Sequence, residues 1–217
     1  MTAELIDTRE MLAIHEAFRK EFAALPLRVK SVPENDADRA AVIAGHVSMM
    51  IMMLEGHHAA EDTLLWPVLL DRAPDSTPLV EMMETQHELL TDMIESINAE
   101  VEAWTSDTNI ETRSTLHTSL IALERALLEH LSLEEKDAMP LVAANLSEEE
   151  FAAIGNHARA TLTPEQLAIG LGVILDDNSA EMGEVILSAM PADARAAFEQ
   201  FGRPAYREYR DRLNGDA

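Results

Sequence analysis

Six side chains that could bind a metal ion occur at positions spaced for helices. They are His15, His57, Glu61, His87, His130 and Glu134. Glu61 follows His57 by four residues and Glu134 follows His130 by four, so each pair lies on one helix face, about 6 Å apart along the axis. Imidazole nitrogen and carboxylate oxygen, without sulfur, suit iron, manganese or zinc. These residues therefore predict a metal centre between helices.

The same residues form an internal repeat. His15 precedes a His-x-x-x-Glu sequence by 42 residues, and His87 precedes a second one by 43. In both halves a proline stands ten residues after the later histidine, at Pro67 and Pro140. Two such halves would pair with pseudo-twofold symmetry, giving two metal ions with two histidines each and two bridging glutamates. Buried dinuclear carboxylate sites in bundles usually hold iron or manganese, so we expect two iron ions per chain, with manganese and zinc as alternatives.

The four histidines are also predicted to lie at one level. In an antiparallel helical hairpin, residues equidistant from the turn are neighbours. The midpoint of His15 and His57 is residue 36, that of His57 and His87 is 72, and that of His87 and His130 is 108.5. Each midpoint falls in a polar segment of residues that favour turns. We therefore expect all four imidazoles in one layer.

Four long helices must position this layer. Apolar residues recur every three or four positions through the first part of the chain, which is the helical period. Helix A is predicted over about residues 8–30, and helix B ends near Leu70. Helix C begins with Pro78 in its first turn, and helix D follows a polar loop at 105–109 and should be disturbed by Pro140. Short breaks between long helices predict an all-α, up-and-down antiparallel four-helix bundle.

A second part follows the bundle. We expect the bundle and its metal site in residues 1–145 and a C-terminal extension of short helices in residues 146–217. Ser147 and Glu150 have the spacing of a capping box that opens a helix. The extension contains no motif that indicates chemistry, and its role stays open.

Composition excludes several classes of protein. The chain has no cysteine, which excludes disulfides, zinc–cysteine sites and thiol catalysis. Its net charge of −24 disfavours nucleic acid and anionic membranes as partners. The first twelve residues lack the order of a signal peptide, and the longest apolar run, Val47 to Leu54, is too short to cross a bilayer. We expect a cytoplasmic protein, either monomer or homodimer.

Other residues that could bind a metal or take part in chemistry are more simply explained by packing or by contact with solvent. His58 lies 100° around the helix from His57 and is either a seventh ligand or a histidine at the boundary of the site. We expect His46 to be structural and His117 and His157 to be solvated. Solvated faces are also expected for the carboxylates beside the ligands, with hydrogen bonds to the ligands as the alternative: Glu16, Asp62, Glu88 and Glu135. Core packing is the expected role of Met49, Met50, Met52, Met53, Tyr206 and Tyr209.

At the six ligand positions the sequence resembles the hemerythrin-like family, also called the HHE cation-binding domain. The resemblance covers about residues 8–145. It is carried by His15, His57-x-x-x-Glu61 with Trp66-Pro67, His87, and His130-x-x-x-Glu134 with Met139-Pro140. It implies a non-heme di-iron centre with an oxo or hydroxo bridge that binds oxygen, nitric oxide or peroxide. The extension resembles that of some actinobacterial hemerythrin-like proteins.

Two departures from an oxygen-carrying hemerythrin bear on function. The carrier has His-x-x-x-His on its third helix, where this chain has Thr91, and His-x-x-x-x-Asp on its fourth, where this chain has His130-x-x-x-Glu134. The chain is more similar to the iron-sensing domain of an F-box ubiquitin-ligase subunit or to short bacterial forms. Two equivalent metal sites would each keep an open position, which disfavours reversible oxygen carriage. An enzyme of this type would be a di-iron oxidoreductase acting on peroxide, like a catalase, or on nitric oxide; the alternative is an oxygen, nitric oxide or iron sensor, or an iron-handling protein, without turnover.

Overall fold

The chain is all-α. The computed structural model describes residues 5–216, and within that range it has helices joined by short turns and no strand. Residues 1–4, at the start of the stretch considered for a signal peptide, and residue 217 lie outside the described residues. In chain order the helices are α1 (Arg9–Ser31), α2 (Ala37–Ala60), α3 (Trp66–Arg72), α4 (Thr77–Ser106), α5 (Ile110–Leu133), α6 (Met139–Asn145), α7 (Glu148–Arg159), α8 (Pro164–Asp177), α9 (Ala180–Ala189), α10 (Ala192–Ala197) and α11 (Arg203–Asn214).

The first six helices form four long arms: α1, α2 continued by α3, α4, and α5 continued by α6. Each arm packs against its neighbours in sequence, and α1 also packs against α5, which closes the bundle. The breaks fall where the sequence predicts them, because capping residues begin the next helix there: the Asp36 side chain accepts a hydrogen bond from Arg39 N, and the Asn109 side chain accepts from Glu111 N and Thr112 N. The predicted antiparallel four-helix bundle is confirmed.

Two arms are widened by a five-residue π-helical turn at equivalent points of the repeat. The turns are Glu61–Leu65 between α2 and α3 and Glu134–Ala138 between α5 and α6. Each stands just before a proline, Pro67 or Pro140, which has no N–H to donate and whose ring crowds the carbonyl four residues earlier. The extra residue in the turn relieves this conflict, so the helix continues. Pro140 therefore disturbs its helix by changing the hydrogen bonding and does not end it.

Two hydrophobic clusters meet at the level of the histidines. On α4, Met83 belongs to one cluster and Leu90 to the other, with His87 between them. The same order holds on α1, where Met11 and Phe18 stand on either side of the histidine. The polar layer predicted from the sequence thus has a closed apolar layer on each side.

The C-terminal helices pack against one side of the bundle. α8 packs on α1, α7 packs on α2, and α11 contacts both α8 and α2. Apolar residues of the extension, Ile169, Val173, Tyr206 and Leu213, belong to the same buried cluster as the bundle helices. The capping box of Ser147 and Glu150 opens α7 as predicted. The division of the chain at residue 145 stays a prediction.

The arm from Ala37 to Arg72 is long and apolar enough, by length and composition, to cross a membrane, with a mean hydropathy of 1.3 over its most apolar window. It is longer than the apolar run from Val47 to Leu54, whose length alone predicts no membrane span. Half of that window is buried inside the structure, and the core helix of a soluble protein has the same properties. The arm is therefore weak evidence for a membrane span, and cytoplasmic location stays a prediction.

Candidate metal centre

The structure brings all seven candidate ligands together in the middle of the bundle. Each is at most 5% exposed: His15, His57, His58, Glu61, His87, His130 and Glu134. The histidines meet in two pairs, with 3.1 Å between the Nε2 atoms of His15 and His57 and 3.3 Å between those of His87 and His130. Each pair joins neighbouring arms of the bundle, so the prediction of a single histidine layer is confirmed.

The two glutamates lie between the histidine pairs. Glu61 Oε1 is 3.1 Å from His57 Nε2, and Glu61 Oε2 is 3.6 Å from His87 Nε2. Glu134 Oε2 is 3.4 Å from His15 Nε2 and 3.6 Å from His130 Nε2. Each carboxylate therefore contacts one histidine from each half of the repeat, which is where a bridging ligand has to stand.

His58 makes the cluster asymmetric. Its ring stacks on that of His87, with centroids 4.1 Å apart and planes 13° from parallel. Successive residues of a helix point 100° apart, so His57 faces α1 and His58 faces α4. The ligand atoms fall into two groups, each within 4.8 Å: one of His15, His57, Glu61 and Glu134, the other of His58, Glu61, His87 and His130. The second group therefore contains the imidazole of His58 in addition to the two histidines that the repeat predicts for each metal, and whether His58 binds metal stays a prediction.

Two of the carboxylates beside the ligands accept hydrogen bonds from ligand histidines. His87 Nδ1 donates to Asp62 Oδ1 at 2.7 Å, and His15 Nδ1 donates to Glu135 Oε1 at 3.0 Å. Each carboxylate follows a ligand glutamate inside a π-helical turn and reaches a histidine of the other half of the repeat. The alternative of a hydrogen bond to a ligand therefore holds for both, although the Asp62 side chain is also 44% exposed and that of Glu135 25% exposed.

A third hydrogen bond of this kind was not predicted. His130 Nδ1 donates to Gln86 Oε1 at 3.0 Å. Gln86 directly precedes His87 on α4, and its position beside a ligand is the only signal that the sequence gives. In His15, His87 and His130 the Nδ1 proton is thus engaged, and the Nε2 lone pair is left facing the site, which is how histidine ligands are usually oriented.

Three histidines of the cluster, His57, His58 and His130, are held neutral. Burial, and then the neighbouring imidazoles, keep the pKa values of His57 and His58 well below the ordinary value. The same causes lower the pKa of His130 to about 3. Since neutral imidazole is the form that binds metal, these three side chains need not lose a proton at neutral pH.

The two carboxylates of the cluster, Glu61 and Glu134, have raised pKa values, so burial favours their protonated form. Burial, followed by repulsion from Glu134, raises the pKa of Glu61 well above the ordinary value, and burial also raises that of Glu134. Charged carboxylates at this place need an opposite charge nearby. A metal ion between the histidine pairs would supply it.

Unpaired polar atoms give a direct test of whether the site fits a metal. Within residues 5–216, both carboxylate oxygens of Glu61 and of Glu134 and the Nε2 atom of His58 are buried without a hydrogen-bond partner. Burying such atoms unpaired costs free energy. All five belong to the two ligand groups, and together they are the nitrogen and oxygen donors that a transition metal prefers. The residues present therefore fit bound metal.

The other histidines lie away from this cluster. His46 is fully buried and bonded to Tyr209 and Glu21, as expected for a structural residue. His157 is exposed as expected, whereas His117 is half-buried. Thr91, at the position where a carrier has a histidine, is exposed. The four methionines of α2 pack in or against the hydrophobic core, as predicted.

Comparison with known proteins agrees with this geometry. The model of the hemerythrin HHE cation binding domain matches residues 7–142. No curated protein and no solved structure matches the chain. The matched region is more than half of the chain, contains α1 to α5 and ends within α6, and includes every residue of the cluster. The chain therefore belongs to the hemerythrin HHE cation-binding domain family, and its buried histidine and glutamate cluster is a metal-binding site.

Proposed function

We propose that the protein is a non-heme di-iron protein that binds or turns over a small oxidant or diatomic molecule: peroxide, nitric oxide or oxygen. The observation that supports this most is the pair of ligand groups with Glu61 common to both and Glu134 lying between the histidine pairs. Two adjacent groups with a common carboxylate suit a dinuclear centre. Bound iron would supply one- and two-electron redox chemistry there.

The burial of the site supports a small ligand. Every candidate ligand is at most 5% exposed, and apolar layers close the site from above and below. A large substrate would have to open the bundle. The protein residues would orient the imidazoles, exclude bulk water and hold the iron pair between them.

The asymmetry of the histidines bears on how the small ligand binds. We assign the binding of the small ligand to the metal held by His15 and His57, because this group has two imidazoles and the other group has three. With His58 as a ligand and both glutamates bridging, the metal beside His87 and His130 has one protein ligand more than the other, so the argument from two equivalent sites against reversible oxygen binding no longer holds. Oxygen therefore ranks with peroxide and nitric oxide as a candidate.

An alternative is a sensor or an iron-handling protein without turnover. It is favoured by the packing of α8 on α1 and of α7 and α11 on α2, because these two bundle helices carry three of the ligand histidines. Metal occupancy could therefore alter how the extension packs. As an enzyme, the protein would act on peroxide or nitric oxide.

The deciding experiment combines metal analysis with spectroscopy. Protein produced with iron should contain about two irons per chain, as expected for a dinuclear site. The anaerobically reduced protein is then exposed separately to oxygen, peroxide and nitric oxide, and its absorption spectrum and the consumption of each reagent are followed. Repeated turnover of peroxide or nitric oxide supports the enzyme, and stoichiometric, reversible change supports the sensor or carrier. One iron per chain, or zinc at full occupancy, contradicts the di-iron proposal.

A further inference from the structure

A second buried polar cluster joins the C-terminal helix to the bundle. His46 on α2 has its Nδ1 atom 2.6 Å from the hydroxyl of Tyr209 on α11 and its Nε2 atom 3.0 Å from Glu21 Oε2 on α1. Arg210 donates to the other oxygen of Glu21 at 2.6 Å. His46 and Glu21 are at most 2% exposed. Tyrosine, histidine and glutamate thus form one continuous hydrogen-bonded chain.

The charge state of Glu21 determines which group donates in each of these hydrogen bonds. Glu21 accepts from Arg210 and is held as a carboxylate: burial alone would raise its pKa, but the hydrogen bond from His46 and the charge of Arg210 lower it. A carboxylate only accepts, so His46 must carry its proton on Nε2. Burial lowers the pKa of His46 and favours the neutral ring. Its Nδ1 atom is then an acceptor, and the Tyr209 hydroxyl donates to it.

Aromatic rings lie between this chain and the metal centre. His46 and His57 are on the same helix, eleven residues apart, which is roughly 16 Å along the axis. The Phe18 ring is 5.4 Å from the His57 ring between centroids, and the Phe22 ring is 6.0 Å from that of Phe18. Phe22 directly follows Glu21 on α1. These fully buried rings therefore occupy part of the space on α1 between the two polar clusters.

We infer that Tyr209 is a redox-active tyrosine that gives an electron to the oxidised metal centre while its hydroxyl proton passes to His46. In this step the phenolic O–H bond breaks, the centre is reduced by one electron, and Tyr209 becomes a neutral radical. The proton enters His46 at Nδ1, and the Nε2–H of the imidazolium that forms keeps its hydrogen bond to the Glu21 carboxylate, whose negative charge stabilises it. The inference rests on the proposed function, since peroxide is the oxidant that acts through the metal centre.

The surroundings of Tyr209 favour this role over the other tyrosine. Burial raises the pKa of Tyr209 above its ordinary value, so the phenol stays protonated and can be oxidised only if the proton leaves with the electron. Tyr206 instead donates to Asp176 Oδ2 at 2.8 Å. That carboxylate side chain is 56% exposed, and no imidazole base accepts from the Tyr206 hydroxyl within the described residues. The two tyrosines of the chain therefore form a natural pair of test and control.

The experiment uses the full, iron-loaded protein mixed with hydrogen peroxide and frozen during the reaction for electron paramagnetic resonance. We expect an organic radical whose hyperfine splitting narrows when the protein is grown with ring-deuterated tyrosine. Tyr209→Phe should lose the signal, and Tyr206→Phe should keep it. Because the chain has two tyrosines, a tyrosyl radical in Tyr206→Phe can only be Tyr209, even if Tyr209→Phe fails to fold.

A further variant separates proton transfer from mere packing. His46→Gln keeps a polar side chain beside Tyr209 but removes the base, so the radical yield should fall at least about tenfold. An unchanged yield would remove His46 from the proposal and overturn the proton path. A radical on Tyr206 or on tryptophan, or no radical while peroxide is consumed, would overturn the inference as a whole.

Failure of the proposed function is recognised separately, from the iron content and the peroxide consumption of the same sample. If peroxide is not consumed, flash-generated ruthenium(III) tris-bipyridine replaces it as the oxidant. The same tyrosyl radical in Tyr206→Phe would then support Tyr209 as the redox-active residue without the link to peroxide. Its absence under this oxidant also would overturn the inference.

Discussion

At the scale of single residues, His58 decides how alike the two metal sites are. Its Nε2 atom is buried without a partner, and its ring stacks on His87. We expect His58→Ala to weaken one metal site selectively, so that under limiting iron the content falls from about two ions to about one. His157→Ala, at an exposed histidine far along the chain, is the matched control and should keep both. Full iron content with an unchanged Mössbauer spectrum in His58→Ala would show that His58 is not a ligand.

Asp62 provides a second prediction, because it holds His87 from outside the ligand set. The 2.7 Å hydrogen bond fixes the ring and makes its Nε2 atom more basic. Asp62→Asn should lower the metal affinity about 10–100-fold while leaving the fold intact. Competition with a chelator measures the affinity, and circular dichroism checks the fold. Glu88→Gln, an equally exposed carboxylate next to the same histidine but without a hydrogen bond to its ring, should have no effect; equal losses in both variants would point to a general charge effect.

Sequence spacing identifies the ligand residues better than it identifies the residues that contact and orient them. His57 with Glu61 and His130 with Glu134 are recognisable because helical periodicity fixes which residues are on one face. His58, Asp62 and Glu135 are neighbours of those residues, and whether a neighbour points inward depends on the rotation of the helix and on the π-helical turns. That rotation is set by packing against other arms, which a pattern within one helix does not contain.

At the scale of elements, the duplicated π-helical turns explain why the repeat is visible in both sequence and structure. Each turn starts at a ligand glutamate and ends just before Trp66-Pro67 or Met139-Pro140. The proline disfavours a regular α-helical turn at this point, and the widened turn places two consecutive carboxylates, one at the metal site and one beside a histidine. The prolines predict a disturbance, but the choice between a break, a kink and a π-helical turn depends on how the next helix packs.

Gly172 tests the packing between α8 and α11. A Cβ atom at this position would overlap the ring of Tyr206, whereas one at Gly45 would meet open space. Gly172→Ala should therefore destabilise the protein by about 1–3 kcal/mol through overpacking. Gly45→Ala lies in exposed helix and should stabilise it by roughly 0.5–1 kcal/mol. Chemical denaturation measures both; a neutral Gly172→Ala would mean that α11 moves aside at no cost.

At the scale of the whole molecule, extension and bundle have a common hydrophobic core. Leu213, near the end of α11, is 1% exposed and belongs to the same cluster as Trp104 at the far end of α4. The sequence predicts short helices in the extension from capping boxes and prolines. It does not predict which bundle face they cover, since that choice depends on the polar contacts of His46 and Glu21, which are 163 and 189 residues away from their C-terminal partners.

The junction between α8 and α1 should respond to pH through Asp177. Burial, and then the charge of Glu21, raise the pKa of Asp177 to about 7, although Arg210 and Lys20 oppose the shift. A carboxyl whose folded pKa is raised binds its proton more tightly when folded, so its contribution to stability is present at low pH and lost as the pH rises toward 7 and above. Asp177→Asn mimics the protonated form.

We expect Asp177→Asn to melt at a higher temperature than the wild type at pH 8, by about 2–4 °C for each 1 kcal/mol gained. Near pH 5 the two proteins should melt alike, since the wild-type carboxyl is then protonated. The exposed Asp193→Asn is the control for a general loss of negative charge. An identical gain at pH 5 and pH 8, or a gain equal to that of Asp193→Asn, would contradict the local explanation.

Metal should stabilise the entire fold, because the site lies where the two hydrophobic clusters meet and all four arms contribute to it. Without metal, Glu61, Glu134 and His58 leave buried polar atoms unpaired. Metal that binds only the folded chain adds about 4 kcal/mol when it is present at 1,000 times its dissociation constant, which is about 8–16 °C in melting temperature for a chain of this length. Thermal melts of iron-loaded and metal-free protein measure the difference.

The double variant Glu61→Ala with Glu134→Ala should abolish this difference in melting temperature, since both carboxylates that contact the two histidine pairs are then gone. Equal melting temperatures with and without bound iron in the wild type would mean that the unpaired atoms find partners in the metal-free state, and that the layer is held by packing alone.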